Sequence, residues 1–190
     1  MRLILASASP RRLDLLDRIG VTPDAVDPAH IDESVPAGEL PRGHALRLAV
    51  EKAETVAARH SQALVLAADT VVAIGRRILP KVEDEATLRA CMKLLSGRRH
   101  RVLTGVAVAI PGSPTRSRVV ETMIAMKRLS DEEIDYYAGH GEWHGKAGGY
   151  ALQGYGEVYV RHIAGSYSNV VGLPLAETRL LLKSAGYAIP

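Results

Sequence analysis

The chain has 190 residues, of which 47% are hydrophobic and 24% charged, with a formal net charge of +3. This composition excludes a disordered chain, and the length suffices for one domain with a substantial buried core. The single cysteine excludes an intrachain disulfide, and no apolar run reaches the roughly 18 residues of a membrane span. The weak positive charge and the 4% aromatic content suit a small anionic ligand better than nucleic acid. Because no signal-peptide pattern precedes the first apolar run, we expect a cytoplasmic protein with no membrane and no nucleic-acid partner.

The first stretch that indicates function is a short apolar run followed by small polar residues and two arginines, at residues 3–12. Ser9 and Pro10 have the character of an N-cap and a first helical residue. Arg11 and Arg12 then lie in the first helical turn, where cations oppose the helix dipole. An anion bound by the free N–H groups of that turn would reverse this penalty. We therefore prefer an anion site here to a solvated basic turn.

An acidic segment and a long helix follow. Residues 30–34 are predicted to form a loop, and residues 41–60 have the spacing of an amphipathic helix. Lys52 falls inside the apolar stripe of that helix, where an ammonium without a partner is expensive. Its side chain either reaches solvent at the edge of the stripe or points into a cleft toward phosphate.

The apolar run at residues 63–74 is interrupted by Asp69 and Thr70. A carboxylate in such a run needs a partner, a metal or a raised pKa. Ligands of open α/β sheets bind outside the carboxyl ends of strands, and a strand at 64–68 would place Asp69 there. A capping role for Asp69 between two strands is the second interpretation, because no glycine or proline marks the break.

The second half of the chain predicts a glycine-rich binding loop among alternating strands and helices. Seven glycines fall within residues 139–156, together with Lys146 and Gln153, which indicates close backbone approach to a ligand. The other predicted features are a hairpin turn at 75–77, a helix at 84–95 with Cys91 in the core, antiparallel strands at 100–110 and 115–126, a helix at 131–138 opened by a capping box of Ser130 and Glu133, a strand at 157–163, a polar loop at 165–169 and a last helix from Pro174.

Six motifs, in order along nearly the whole chain, resemble those of the Maf family of nucleoside triphosphate pyrophosphatases, also called septum-formation inhibitor proteins. The resemblance implies a single domain over residues 1–190 of the α/β class. A mixed twisted sheet flanked by helices would form two lobes around a central cleft, as in Maf and ITPase-like proteins. It also implies a cytoplasmic enzyme, frequently a homodimer. The motifs are SASPRR at 7–12, ADTVV at 68–72, LPK at 79–81, LTGV at 103–106, GKAGGYALQG at 145–154 and GSYSNVVGLPL at 165–175.

Residue by residue, the resemblance implies roles for nine side chains. Asp69 matches the proton acceptor of the family. Arg11, Thr70 and Gln153 match the specificity positions of the dTTP/UTP branch of the family. The branch similar to the 7-methyl-GTP enzyme has Trp, Gln and Glu at these three positions. Pro80 stands before the motif lysine, where glycine is the commoner residue. The residues that match the triphosphate and metal cluster are Ser7, Arg12, Glu33, Lys52 and Lys81.

The implied reaction is hydrolysis of a nucleoside triphosphate, most readily dTTP or UTP, to the monophosphate and pyrophosphate. Glu33 and Asp69 could hold Mg²⁺ or Mn²⁺, since Mg²⁺ prefers one or two carboxylates plus phosphate oxygens and water. Water would attack the α-phosphorus with Asp69 as base, while the cationic side chains bind the phosphates. The alternative is a non-catalytic nucleotide-binding regulator of cell division, although such a regulator has no need of an intact Asp69.

Overall fold

A mixed β-sheet lies at the centre of the computed structural model, which describes residues 1–189. Pro190, the last residue of the predicted domain, lies outside the described residues. Within this part of the chain, seven strands form the sheet and two short strands form a separate ribbon. The sheet contains β1 (Leu3–Leu5), β2 (Ala25–Val26), β3 (Leu64–Ile74), β4 (Arg77–Leu79), β6 (Arg99–Ile110), β7 (Ser113–Met126) and β9 (Val160–Ala164), and the ribbon contains β5 (Lys81–Val82) and β8 (Lys146–Ala147).

The strand order of the sheet leaves a gap along one edge of β3. The order is β2–β1–β3–β6–β7–β9, and β4 pairs only with β3. β1 is parallel to β3 and pairs with residues 64–66, whereas β4 is antiparallel and pairs with residues 72–74 on the same edge. The other edge of β3 pairs with β6 continuously from residue 65 to residue 73. Residues 67–71 of β3 therefore have a partner strand on one side only, among the described residues.

Helices cover both faces of the sheet. The longest, α2 (Pro41–Ala57), crosses β3 and β6 so closely that a Cβ atom at Gly105 would lie 2.1 Å from the carbonyl oxygen of Ala45. In the part of the chain that is described, no helix combines the length and apolar character needed to cross a membrane. The helices are α1 (Pro10–Asp17), α2 (Pro41–Ala57), α3 (Glu85–Leu95), α4 (Asp131–His140), α5 (Tyr167–Val171) and α6 (Leu175–Ser184), with a 3₁₀ helix at Tyr155–Tyr159.

The two largest apolar clusters lie toward opposite ends of the long strands. One contains Leu16 of α1 and Leu182 of α6 and packs at the end that bears β1. The other contains Leu88 and Met92 of α3 and packs at the end that bears β4. Both clusters include side chains of β3 and β6, so these strands connect the two packed ends through the middle of the sheet.

The predicted break at Asp69 is wrong, because β3 runs through Asp69 and Thr70 without interruption. Asp69 pairs with Gly105 and Thr70 with Thr104 in β6, so the backbone ladder continues past both polar residues. The second interpretation, a cap between two strands, is wrong for the same reason. Asp69 nevertheless lies beyond the carboxyl end of β1, since the pairing of β1 with β3 ends at Leu66.

The predicted strand at 157–163 begins later than expected. Tyr155–Tyr159 forms the 3₁₀ helix, and β9 starts only at Val160. The carboxylate of Glu142 accepts hydrogen bonds from the first two backbone N–H groups of this helix, at 3.0 and 2.9 Å. A tertiary contact therefore determines the local conformation here.

The predicted polar loop at 165–169 is also partly wrong, because it leads into α5. The hydroxyl of Ser166 caps the helix by accepting a hydrogen bond from the backbone N–H of Asn169. The capping box of Ser130 and Glu133 at the start of α4, in contrast, is confirmed with both of its hydrogen bonds.

Candidate active site

A cleft of about 520 Å³ opens beside the part of β3 that lacks a partner strand. One wall comes from residues 6–12 and 28–33, and the opposite wall comes from the glycine-rich loop at residues 145–153. The structure brings every side chain that was predicted for the site into the lining of this one cleft. These side chains are Ser7, Arg11, Arg12, Glu33, Lys52, Asp69, Thr70, Lys81 and Gln153.

Lys52 extends from the buried face of α2 to two carboxylates of the cleft. Its Nζ atom lies 2.6 Å from Oδ1 of Asp69 and 2.6 Å from Oε1 of Glu33. The side chains of Lys52 and Asp69 are only 9% and 7% exposed. Two carboxylates offset the cost of burying the ammonium, so the side chain points into the cleft and does not reach for solvent.

Glu33 connects the acidic loop to the ribbon strand β5. Lys81 of β5 donates a hydrogen bond to Glu33, and the proline that precedes it does not keep it out of the cleft. Burial alone would raise the pKa of Glu33, but hydrogen bonds from Lys52 and Lys81 outweigh this effect and lower the pKa to about 2. Glu33 is therefore a carboxylate at neutral pH.

The turn between β1 and α1 holds Arg12 in a fixed orientation. Its Nε atom donates to the carbonyl of Gly172 at 2.9 Å, and its Nη1 atom donates to Oγ of Ser7 at 2.8 Å. Nη2 makes no hydrogen bond to residues 1–189 and remains available to a ligand. Ser9 has the predicted N-cap position, but its side chain caps no N–H group, which leaves the first turn of α1 open as well.

Thr70 and Asp69 point to opposite faces of β3, as adjacent residues of a strand do. The hydroxyl of Thr70 lies 2.9 Å from that of Thr104, which donates to the backbone carbonyl of Asn169 at 2.9 Å. Asn169 belongs to α5, and Gly172 directly follows that helix. This buried polar chain therefore links Thr70 to the segment whose carbonyl orients Arg12.

Lys146 lines the cleft; the sequence placed it in the predicted glycine-rich binding loop but assigned it no role in the site. Its ammonium donates to the backbone carbonyl of Glu142, and burial together with the nearby Arg11 lowers its pKa. Among residues 1–189, neither Lys146 nor Arg11 forms an ion pair with a carboxylate. Both therefore add positive charge to the cleft. The position of Lys146 in the glycine-rich motif beside Gln153 was the available signal.

Tyr150 forms part of the apolar wall, and this residue was also missed. Its hydroxyl lies 2.7 Å from Nε2 of His100 on β6. Burial lowers the pKa of His100 to about 4, so the ring is neutral at physiological pH. No local pattern connects two residues 50 positions apart, which is why the sequence did not indicate this pair.

The cleft carboxylates are suited to hold one divalent cation. Glu33 and Asp69 each direct an oxygen at the same point, which the ammonium of Lys52 occupies. No cluster of three or more His, Cys, Asp and Glu side chains arranged for metal binding occurs within residues 1–189. Mg²⁺ is commonly held by one or two carboxylates with phosphate oxygens and water as further ligands. The donor set therefore fits a cation that shares its coordination with a phosphate-containing ligand.

The fold and the cleft define an α/β protein with a cavity lined by five Lys and Arg side chains. A HAM1 protein from Coxiella burnetii has a similar fold, with a TM-score of 0.52 and 14% identity over 97% of this chain and 99% of that chain. This likeness concerns the fold alone.

The family follows from the sequence comparisons. The family model described as "Maf-like protein" matches residues 2–185, and the chain belongs to the Maf family. The dTTP/UTP pyrophosphatase of Caulobacter vibrioides is 60% identical over 185 residues, which cover 97% of this chain and 96% of that relative. The dTTP/UTP pyrophosphatase of Paramagnetospirillum magneticum is 61% identical over 186 residues, covering 98% of each protein.

Proposed function

We propose that this protein hydrolyses nucleoside triphosphates, chiefly dTTP and UTP, to the monophosphate and pyrophosphate. The observation that carries the proposal is the charge arrangement of the cleft, where five Lys and Arg side chains and two carboxylates line one cavity. The relatives named dTTP/UTP pyrophosphatase support the choice of substrate. The cytoplasm, where nucleoside triphosphates are made, is the proposed location.

The phosphate groups would lie between the two walls of the cleft. Arg12 presents its free Nη2 donors beside the open first turn of α1, and guanidinium groups and helix N-termini both favour phosphate. Lys146 approaches from the opposite wall, and Lys81 lies on β5, which pairs with β8 in that wall. These groups would fix the triphosphate and offset the charge that develops on the leaving pyrophosphate.

Asp69 would accept a proton from the water that attacks the α-phosphorus. Its Oδ1 atom is held by Lys52, whereas Oδ2 makes no hydrogen bond to the described residues and is free to act. In the nucleotide-free protein the ammonium of Lys52 restricts the rotation of this carboxylate. Glu33 and Asp69 would hold the divalent cation, which when bound supplies Lewis acidity toward phosphate oxygens and water.

The glycine-rich loop would recognise the nucleobase of the substrate. Gln153 is exposed at the cleft, and its amide can both donate and accept, as the O4 and N3–H groups of uracil and thymine require. Tyr150 supplies a rigid apolar surface in the same wall. Arg11 and Thr70 complete the specificity positions, with Arg11 able to reach the base or sugar.

The test is a panel of dTTP, UTP, CTP, GTP and 7-methyl-GTP, with pyrophosphate and orthophosphate measured separately. We expect pyrophosphate from dTTP and UTP, with release that requires Mg²⁺ or Mn²⁺ and stops in excess chelator. Orthophosphate as the first product would contradict cleavage between the α- and β-phosphates. Undiminished turnover in excess chelator would contradict the requirement for a divalent cation. Nucleotide binding without turnover would favour the alternative, a non-catalytic nucleotide-binding regulator.

A further inference from the structure

We propose that in the nucleotide-free protein Lys52 occupies the position of the divalent cation, so that the metal enters only together with the nucleotide. This inference rests on the proposed function, but it concerns the order of binding and not the reaction. It assigns Lys52 two successive partners: first the carboxylates Glu33 and Asp69, then the phosphates of the substrate.

The first observation is that ammonium groups already engage three of the four carboxylate oxygens in the site. Lys52 contacts Oδ1 of Asp69 and Oε1 of Glu33 at 2.6 Å each, and Lys81 contacts Oε2 of Glu33. Only Oδ2 of Asp69 makes no hydrogen bond to residues 1–189. A metal ion that arrives alone would find one free oxygen and would have to displace a buried ion pair.

The second observation is that the protein lacks the ligands to complete a metal site by itself. No cluster of three or more His, Cys, Asp and Glu side chains suited to a metal exists within the described residues. A divalent cation therefore needs oxygens from elsewhere, and a nucleotide brings them as phosphates.

The nucleotide also supplies the reason for Lys52 to move. The lysine ammonium is a compact charge on a flexible four-carbon chain, so it can turn from carboxylate to phosphate without moving α2. Once it turns, Glu33 and Asp69 are left without their shared cation in a partly buried site, which is unfavourable unless another cation replaces it. Nucleotide and metal binding are therefore positively coupled, and each increases the affinity for the other by the same factor.

The experiment measures binding of Mn²⁺ from the electron paramagnetic resonance signal of the free ion. Wild-type protein is titrated alone and with a non-hydrolysable α,β-imido analogue of dUTP, and the Mn²⁺ that the analogue binds without protein is measured separately and subtracted. The variant Lys52→Met is titrated without nucleotide. The matched control, Lys127→Met, removes a lysine that pairs with Glu133 outside the cleft.

We expect the analogue to tighten Mn²⁺ binding to the wild type by about tenfold or more, which lies within the range usual for coupled sites. Lys52→Met should bind Mn²⁺ without nucleotide at least about tenfold more tightly than the wild type, because the two carboxylates are then free. Lys127→Met should match the wild type.

Two results would overturn the inference: equal Mn²⁺ affinity of the wild type with and without bound analogue, or no gain in Lys52→Met. If circular dichroism shows that Lys52→Met is unfolded, the comparison within the wild type decides the question. If the analogue does not bind at all, the proposed function is contradicted, and the comparison of Lys52→Met with the wild type in Mn²⁺ alone still decides this inference.

Discussion

The Nζ atom of Lys52 lies 2.6 Å from Oδ1 of Asp69, although the two residues are 17 positions apart in the chain. Lys52 is on α2 and Asp69 is in the middle of β3, so their contact depends on how the helix crosses the sheet. Gly105, which pairs with Asp69, has no side chain to hold the helix away at Ala45. The helix therefore packs close enough to bring its lysine to the carboxylate.

The first prediction concerns Asp69 as the base. Asp69→Asn should lower kcat by about 10²–10⁴-fold, because the amide keeps the shape of the side chain but cannot accept the proton. Thermal unfolding should show that the variant is folded. Asp135→Asn, which removes an exposed carboxylate paired with Arg89 outside the cleft, is the control and should leave kcat unchanged. A folded Asp69→Asn enzyme with near-normal kcat would show that Asp69 is structural.

The second prediction concerns the recognition of the nucleobase by Gln153. Gln153→Glu should lower kcat/KM for dTTP and UTP by roughly 10- to 100-fold, because a mispaired polar contact costs about 1–3 kcal/mol. The exposed Gln62, which does not line the cleft, provides the control Gln62→Glu. An equal decrease for dTTP, UTP, CTP, GTP and 7-methyl-GTP would mean that Gln153 only supports the loop.

The third prediction tests the close packing of α2 on β6. In Gly105→Ala, the added Cβ would lie 2.1 Å from the carbonyl oxygen of Ala45 and 3.1 Å from Cβ of Ala49, so the helix must move. We expect a loss of about 1–3 kcal/mol in the free energy of unfolding, with reduced kcat because Lys52 moves with the helix. The control is Gly43→Ala on the same helix, where the added Cβ meets no other part of the protein within 4 Å. The stability of this variant should equal or exceed that of the wild type, because alanine favours the helix over glycine. Equal urea midpoints for the two variants would refute the packing effect.

The fourth prediction concerns the neutral ring of His100. Its pKa is lowered by burial from 6.5 to about 4. Between these values the unfolded chain binds a proton that the folded protein does not, so stability decreases as the pH falls from 6.5 to about 4. The ring's contribution is constant above and below this window. The loss at pH 4 amounts to roughly 3 kcal/mol.

The measurement is urea unfolding at several pH values for the wild type, His100→Gln and the control His162→Gln, whose ring is exposed. The wild type and the control should lose stability in parallel as the pH falls, whereas His100→Gln should lose less. Parallel curves for all three proteins would show that His100 does not titrate as its burial implies.

Local patterns in the sequence predicted those elements that local interactions determine. The capping box of Ser130 and Glu133 and the apolar stripe of α2 are examples, and both are present in the structure. The weak positive charge suited an anionic ligand, and the motif resemblance implied both the α/β fold and the family that the comparisons confirm.

The remaining features depend on contacts between distant segments. The continuous pairing of β3 with β6 past Asp69 could not be derived from the run at 63–74, because the partner strand determines it. The 3₁₀ helix at Tyr155–Tyr159 likewise depends on Glu142, thirteen positions before its first residue. The sharing of Lys52 by Glu33 and Asp69 requires a loop, a helix and a strand to meet, which no spacing rule contains.

The most direct test of the proposed reaction is a turnover of dTTP in water enriched in a heavy oxygen isotope, with mass spectrometry of both products. Water directed at the α-phosphorus by Asp69 places the heavy oxygen in the monophosphate and leaves the pyrophosphate unlabelled. Heavy oxygen in the pyrophosphate, or in free orthophosphate, would contradict attack at the α-phosphorus.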